Sequence, residues 1–439
     1  MRRLQWAITS LPLIVVLAFG FRVGGILILR TYNFPTDGGP FATTPPEFGF
    51  GSETGSIAAS LARGQGFSSP FGHPTGPTAW IAPIYPVLVA AFFKVFGIYT
   101  KPAAIAVLTL NSLFSAITCV PIVSAGRRTV GAPAGFLAAW IWAVVPIFMK
   151  WPISWVWDMS LSGLLVALLL LSTLEIVDSH SRKLWLGYGC LWGFAALTNP
   201  ALLSTLPLSL LWLVVKRRRI RQVSPLLFGV VVIALVGCTA PWIIRNCIML
   251  GKPTFIRDNF WFEFHLGNYH LSNGMGWVGK HPTGNIIELD LYKKLGELEY
   301  VRHYRYESIT FVRTHPDEFL QLTEKRFVTY WTGDFFHYRW WETPSYLSLS
   351  FLALMGLILA LGNGTQGALL LGNILLFYPV VYYLTYPFPR YRHAIEPEML
   401  LLSSYFLCEL IRNFLDRFRQ IAATSSETVN EEWITPLKE

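Results

Sequence analysis

Two acidic residues near the ends of apolar segments are the strongest candidates for chemistry in this sequence. Glu53 lies in a loop after the first apolar segment, and Asp158 lies in the stretch KWPISWVWDMS before a later one. A carboxylate near a membrane interface can serve as a base that takes a proton from an attacking hydroxyl or amine. The structural alternative is that each stabilises the first turn of a helix by capping or through the helix dipole. Both interpretations stay open for both residues.

Three arginines form the second candidate feature. Arg245 ends an apolar segment, and Arg390 and Arg392 lie in YPFPRYRHAIEPE between the last two segments. All three are predicted on the external side, where short loops are normally poor in positive charge. A phosphate at headgroup level would favour them there, since guanidinium pairs bidentately with phosphate. The alternative is contact with anionic lipid or an ion pair with Glu396 or Glu398.

Glu47 and His265 complete the set of candidate substrate-binding residues. Glu47 precedes Glu53 in the first loop, and His265 lies in a large loop further along the chain. The nine histidines show no HxxxH or HExxH spacing, so no metal ligands are predicted. The dispersed carboxylates of Glu47, Glu53 and Asp158 leave a divalent cation as an open alternative. No P-loop or GxSxG is present, and the energy for a reaction must therefore arrive in an activated substrate.

Membrane helices must position these residues. The chain has 439 residues, of which 53% are hydrophobic and 14% charged, whereas soluble proteins carry about 25% charged residues. The net charge of +9 fits cytoplasmic loops and lipid headgroups better than nucleic acid. Runs long enough to span a bilayer predict about ten transmembrane helices, near 7–29, 103–125, 131–149, 156–176, 184–198, 200–215, 224–245, 345–362, 366–385 and 394–414.

The lysines and arginines of short loops predict the orientation. They fall on one side if both termini are cytoplasmic and the apolar segment 80–97 is re-entrant or interfacial. Whether the residues from 184 to 215 form one broken helix or two is left open. The predicted organisation begins with an N-terminal transmembrane module, residues 1–245, whose first external loop, residues 30–102, is catalytic. A large external loop, residues 246–344, follows and contains an interfacial helix. C-terminal transmembrane helices (345–415) and a cytoplasmic tail (416–439) complete the chain.

Short motifs in a fixed order resemble the GT-C superfamily of polytopic glycosyltransferases, particularly the bacterial branch related to protein O-mannosyltransferases and the lipid A aminoarabinose transferase. They cover most of residues 5–415. The motifs are an acidic residue ahead of Ile57-Ala58 through Gly66-Phe67, the ribbon from Pro77 to Pro86, the turn Leu197–Pro200, the stretch from Pro241 to Asn268, and Arg390-Tyr391 followed by Glu396-Pro397.

This resemblance implies an integral enzyme of the bacterial cytoplasmic membrane. It would transfer a sugar, with inversion, from a polyprenyl-phosphate carrier to a lipid, glycan or protein acceptor at the external face. Glu53 would be the base, Asp158 a secondary acidic group, and Arg245, Arg390 and Arg392 would bind the carrier phosphate. The alternatives from other classes are a lipid or sugar transporter or flippase, which would contain broken helices, and a non-catalytic scaffold subunit.

Overall fold

Helices make up the regular structure in the part of the chain that the computed structural model describes, which is residues 9–34, 49–219, 223–270, 272–276, 278–333 and 342–433. Within these residues an isolated antiparallel bridge joins Ser68 and Pro77. The predicted all-α class is confirmed. The helices are α1 Leu11–Ile28, α2 Glu53–Ala62, α3 Ile84–Phe96, α4 Lys101–Ile117, α5 Cys119–Arg128, α6 Ala132–Val144, α7 Pro146–Ser154, α8 Met159–Ile176, α9 Arg182–Thr198, α10 Leu206–Arg219, α11 Pro225–Leu250, α12 Phe260–Gly267, α13 Ile286–Leu295, α14 Glu297–Thr314, α15 Pro316–Thr332, α16 Glu342–Gly362, α17 Ala368–Phe377, α18 Val380–Leu384, α19 Pro389–Arg392 and α20 Glu396–Trp433.

Six helical segments in the described part are long and apolar enough to cross a membrane: α1, α4 with α5, α8, the segment Pro200–Arg219, α11 and α16. The pair α6 and α7, bent by 54°, gives a seventh if it forms one span. The chain is therefore an integral membrane protein. The other expected spans coincide with α9, α17 with α18, and α20. The total of ten stays a prediction.

The apolar segment 80–97 forms the short helix α3 between α2 and α4. Its thirteen residues rise about 20 Å, which is less than the ~30 Å of a bilayer core. As a straight helix it is too short to cross, in agreement with a re-entrant or interfacial position. Gly97, with φ +92°, ends the helix. Near its start, Tyr85 donates a hydrogen bond to Asn111 Oδ1 on α4 at 2.9 Å.

The residues from 184 to 215 form two helices, α9 and α10, and the break lies at Asn199. A residue before proline is disfavoured in the helical region, and Asn199 accordingly has φ −146° and ψ 99°. Its side chain accepts a hydrogen bond from Ala201 N at 3.1 Å and donates one to Ser162 Oγ at 3.3 Å. A 3₁₀ turn over Pro200–Thr205 then leads into α10. The break gives this junction polar groups directed toward α8.

The long interfacial helix expected before residue 332 is interrupted. The sequence predicted one amphipathic helix over TFVRTHPDEFLQLTEKRFVTYW, but α14 ends at Thr314 and α15 begins at Pro316. His315 between them has φ −133° and ψ 58°, again because a proline follows. A second difference concerns α11, which continues to Leu250, so that Arg245 lies inside this helix and not at its end.

Candidate active site

A cavity of about 870 Å³ opens between the membrane helices and the helices of the large loop. Its wall contains three of the predicted site residues, Glu53, Asp158 and Arg390. The breaks and loops described above supply much of the remaining surface, including Tyr85 of α3 and Asn199 of the α9–α10 junction. Residues more than three hundred positions apart in the sequence therefore face one space.

Close packing before α2 brings the two acidic residues to the same wall. Gly51 has φ +77°, a conformation that glycine adopts readily. A Cβ atom at this position would clash with the Val156 carbonyl oxygen and would lie 2.9 Å from the Trp157 ring. The loop before Glu53 thus lies directly against the segment that leads into Asp158. This packing needs a glycine at position 51.

Glu53 is 8% exposed and is held by a histidine from the large loop. Its Oε1 atom lies 3.2 Å from Nε2 of His281, and Nδ1 of His281 is 2.9 Å from Thr283 Oγ1. Burial by itself raises the pKa of Glu53, but the hydrogen bond and the charge of His281 together lower it below its usual value of 4.5. Burial likewise opposes the charged form of His281, and Glu53 nevertheless raises the His281 pKa above 6.5. Each partner thus shifts the pKa of the other toward the charged form.

Asp158 occupies a different environment on the same wall. It precedes α8, and its Oδ2 atom accepts a hydrogen bond from Ser162 Oγ at 2.9 Å. Ser162 in turn accepts from Asn199 Nδ2, which connects the carboxylate to the α9–α10 junction. Burial raises the pKa of Asp158 to about 6 against these hydrogen bonds. The two carboxyl groups therefore differ in proton affinity, as acid–base pairs in active sites commonly do.

Arg390 presents a guanidinium group to the cavity from the short helix α19. Its Cζ atom lies 4.9 Å from the centre of the Trp157 ring and 4.6 Å from that of Phe388. Within the described residues no carboxylate lies within ion-pair distance of Arg390, and its buried Nε atom has no hydrogen-bond partner. An arginine held by aromatic faces with unused donors is suited to bind an anion that enters the cavity.

This helical chain is similar to known proteins in sequence and in fold. A sequence-family model described as dolichyl-phosphate-mannose-protein mannosyltransferase matches residues 75–244. The crystal structure of the Archaeoglobus fulgidus oligosaccharyltransferase in complex with Zn and sulfate aligns with 94% of this chain, at a TM-score of 0.50 and 13% identity. The chain shares the GT-C-like fold of this structure.

The chain spans about half of the length of that oligosaccharyltransferase, 51%. A second solved structure, ArnT from Cupriavidus metallidurans bound to undecaprenyl phosphate, aligns with 83% of this chain and 73% of its own, at a TM-score of 0.39 and 13% identity. A search of curated proteins finds no match. At 13% identity the likeness to the oligosaccharyltransferase shows the fold alone, and the predicted GT-C-like fold class is confirmed.

Two further residues of the cavity were not predicted from the sequence. Arg257 and Glu263 line the cavity and lie 3.3 Å apart (Nη2 to Oε1). Glu263 also accepts hydrogen bonds from Asn259 Nδ2 at 2.7 Å and from the Tyr386 hydroxyl. The signal that could have found Arg257 is the one used for Arg245, namely positive charge in a segment predicted to be external.

Arg245 does not line the cavity. Its guanidinium group donates to the carbonyl oxygens of Phe67 and Thr78, both at 2.6 Å, and stacks on Trp242. From the other side, Glu297 accepts a hydrogen bond from Ala79 N at 2.6 Å. Arg245 thus connects the ribbon after α2 to α11, which is a structural role.

Arg392 and His265 also lie away from the cavity. Arg392 is 2% exposed, pairs with Glu396 at 3.5 Å (Nε to Oε1), and donates to the carbonyl oxygens of Trp331 and Tyr346. This is the ion pair that the sequence left open as an alternative. His265 is buried against the Tyr304 ring at 4.5 Å. Burial and the nearby charge of Lys280 lower its pKa to about 3.

The remaining site predictions concern Glu47 and a divalent cation. Glu47 lies outside the described residues. Of the cavity carboxylates, Glu53 is engaged by His281 and Glu263 by Arg257. In the described part of the chain, no three cavity-lining ligand atoms lie close enough together to hold one ion. A divalent cation in this cavity therefore stays a prediction.

The His281–Glu53 pair predicts a specific pH dependence. Protonation of Glu53 would remove the predicted base, so activity should fall at pH values below the lowered pKa of Glu53. In His281→Gln a hydrogen-bond donor remains but the positive charge is lost, and burial then raises the Glu53 pKa. We expect the acid limb of the rate–pH profile to move to higher pH.

The control for this change is His73→Gln, which alters an exposed histidine of the ribbon after α2. Its profile should match that of the unmodified protein. An unchanged acid limb in His281→Gln would mean that the histidine does not set the proton affinity of Glu53.

Proposed function

We propose that this chain is a glycosyltransferase that moves a sugar from a polyprenyl-phosphate carrier to an acceptor at the external face of the membrane. The observation that carries the proposal is the composition of one cavity wall. This wall contains an ionised, pre-oriented carboxylate, Glu53, and an arginine with unused donors, Arg390. A base and an anion-binding group are what transfer from a sugar phosphate requires.

Glu53 is proposed as the base of a single inverting displacement. The acceptor hydroxyl or amine attacks the anomeric carbon while the bond from that carbon to the phosphate oxygen breaks. The proton of the acceptor goes to Glu53, and the electron pair of the broken bond leaves with the carrier phosphate. The His281 contact at 3.2 Å holds the carboxylate in one orientation, which reduces the cost of reaching the reacting geometry.

Arg390 is proposed to bind the phosphate that accumulates charge as the sugar leaves. The aromatic rings around its guanidinium limit its rotation and exclude part of the water, which strengthens its interaction with an anion. Arg257 is a second cation of the same wall, but it is already paired with Glu263. The proposal therefore assigns the carrier phosphate to Arg390 and does not keep Arg245 or Arg392 as phosphate ligands.

Asp158 is proposed as the second acidic group, placed to bind the sugar or the acceptor. Its link through Ser162 to Asn199 keeps it on the cavity wall. Because its pKa is raised to about 6, it is the alternative base if Glu53 does not accept the proton. Parallel substitution of both residues distinguishes the two roles.

The size and composition of the cavity support a lipid-linked donor. A volume of about 870 Å³ lies in the upper range of small-molecule sites, which leaves room for a sugar and a phosphate together with an acceptor. Aromatic and aliphatic groups such as Ile81, Trp155, Leu266 and Tyr391 form much of the lining. The polyprenyl chain would lie against the membrane helices. The site would face the exterior of a bacterial cytoplasmic membrane, with both termini in the cytoplasm.

The direct test uses purified protein in detergent with polyprenyl-phosphate sugars radiolabelled in the sugar and with a mixture of candidate acceptors. The enzyme should release free polyprenyl phosphate and transfer the label, and Glu53→Gln should do neither. Candidate donors with hexose and pentose groups would identify the sugar. Failure of every donor to release carrier phosphate, with folded protein, would overturn the proposal.

A lipid or sugar transporter is the second candidate, because the break at Asn199-Pro200 lies in the cavity wall. Broken helices at a binding site are common in transporters. The two candidates differ in reconstituted vesicles. A flippase moves the labelled lipid between leaflets with the sugar–phosphate bond intact, whereas the transferase cleaves that bond.

A further inference from the structure

Three potential metal ligands come together on the large loop, apart from the cavity lining. They are His270, which follows α12, and His315 and Glu318 at the start of α15. One ligand atom of each lies within 4.8 Å of the others. His270 Nδ1 is 3.5 Å from Glu318 Oε2, and the two imidazole ring centres are 5.6 Å apart. From this geometry we propose that His270, His315 and Glu318 bind one divalent transition-metal ion such as Zn²⁺.

The position of His315 is set by its neighbours. Its ring stacks on Phe311 with centres 5.5 Å apart and an interplanar angle of 17°. Its Nδ1 atom is 2.7 Å from Thr314 Oγ1, so Nε2 is the ring nitrogen that has no hydrogen bond to a described residue. A hydrogen bond at one ring nitrogen orients a histidine for coordination through the opposite nitrogen.

The segment that carries His270 is anchored on both sides of this residue. Before it, Asn268 donates to the carbonyl oxygens of Phe264 and Leu384, both at 2.7 Å. After it, the Asn273 carbonyl accepts from Lys325 Nζ of α15 at 2.8 Å. These contacts hold the chain on both sides of His270, and the second connects it to α15.

Two imidazoles and one carboxylate suit Zn²⁺ and related ions, with remaining positions filled by water or another ligand. Ligand atoms around tetrahedral zinc are about 3.3 Å apart, given bond lengths near 2.0 Å. Small rotations of these solvent-accessible side chains would reach that spacing. Asp317 and Glu318 also place negative charge in the first turn of α15, which offsets the positive end of the helix dipole.

A second group with the same residue types provides a comparison within this loop. Glu307 lies 3.6 Å from His265 and 3.2 Å from His303. There, however, His265 is buried, and Lys280 is close enough to disfavour a further positive charge on it. The proposal therefore predicts metal binding at the His270 group and none at the Glu307 group.

Metal binding at His270 would restrain one part of the cavity wall. The segment leads to Gly276, which has φ +70° and would place a Cβ atom 2.7 Å from the Tyr386 ring. Gly276 and Tyr386 both line the cavity. An ion that ties His270 to α15 would therefore restrain this part of the wall from outside the reacting groups. The metal-binding test below does not depend on the proposed transferase activity.

The experiment uses full-length protein in detergent, with any histidine tag removed and bound metal stripped by EDTA. Titration with Co²⁺, followed by its visible absorption, and competition with Zn²⁺ should reveal one site. His270→Ala and Glu318→Gln should each weaken this binding at least tenfold, while His303→Ala should leave it unchanged. Thermal unfolding without metal checks that each variant is folded.

Two binding results would overturn the proposal. They are the absence of a Co²⁺ or Zn²⁺ site in the unmodified protein, or binding that survives both His270→Ala and Glu318→Gln. Loss of binding in His303→Ala alone would assign the metal to the Glu307 group instead and would also overturn it.

Discussion

Glu53→Gln should reduce sugar transfer by about 10²–10⁴-fold, the usual contribution of a general base. The amide has the size of the carboxylate, and its oxygen can still accept a hydrogen bond from His281, which is 3.2 Å from Glu53 Oε1 in the unmodified protein. The substitution therefore removes the proton acceptor while the surrounding contacts remain. Initial rates of carrier-phosphate release at saturating donor and acceptor measure the effect.

The matched control is Glu175→Gln. Glu175 is an exposed carboxylate of α8 that pairs with Arg128 at 3.2 Å, and surface pairs of this kind contribute little to stability. Its rate should equal that of the unmodified protein. Asp158→Asn is assayed beside it, since a larger loss there than in Glu53→Gln would transfer the role of base to Asp158. Full activity in Glu53→Gln would remove Glu53 from the mechanism.

Arg390→Gln should lower kcat/KM for the lipid-linked donor by about 10²–10³-fold, as removal of one group that stabilises a developing anion commonly does. The guanidinium has no carboxylate partner among the described residues, and its Nε atom is buried without a hydrogen bond. No described carboxylate therefore competes with the ligand for this guanidinium group. We expect a higher KM for the donor, little change in KM for the acceptor, and partial recovery in Arg390→Lys, which keeps the charge without the planar fork.

Arg302→Gln is the control for this prediction. Arg302 is an exposed arginine of α14 that pairs with Glu299 at 3.0 Å, so its loss should alter neither KM. Donor kinetics and thermal unfolding measured together separate binding from stability. Unchanged donor KM and kcat in folded Arg390→Gln would exclude Arg390 as the phosphate ligand.

The membrane class and many of the helices followed from the sequence because apolar runs and prolines act locally. Around Pro200 the sequence left open one broken helix or two helices, and the structure has two, with the break at Asn199. Pro316 likewise disfavours a helical conformation of the residue before it. The sequence nevertheless predicted one continuous helix there, because the helical periodicity continues on both sides of Pro316. Apolar length alone did not decide the number of spans, because several helices are too short or too charged to be assigned to a crossing by composition.

The sequence could not decide which charged residues face the cavity. Arg390 and Arg392 are two residues apart on the short helix α19, and such a spacing turns the side chains about 200° from each other. Only Arg390 lines the cavity, while Arg392 pairs with Glu396. Arg245 has the same charge and the same predicted side, yet its donors are used by backbone carbonyls of the ribbon. Long, flexible side chains leave this choice to their neighbours.

An all-α membrane protein could be inferred from the amino-acid sequence, because hydrophobicity and local turn chemistry are properties of short segments. The contact of Glu53 with His281, and the cavity that Glu53 shares with Asp158 and Arg390, could be seen only in the folded chain. Folding also brings His270 to His315 and Glu318. Contacts between distant segments depend on how the helices pack and how the loops fold over them, and short-range sequence patterns do not predict this packing.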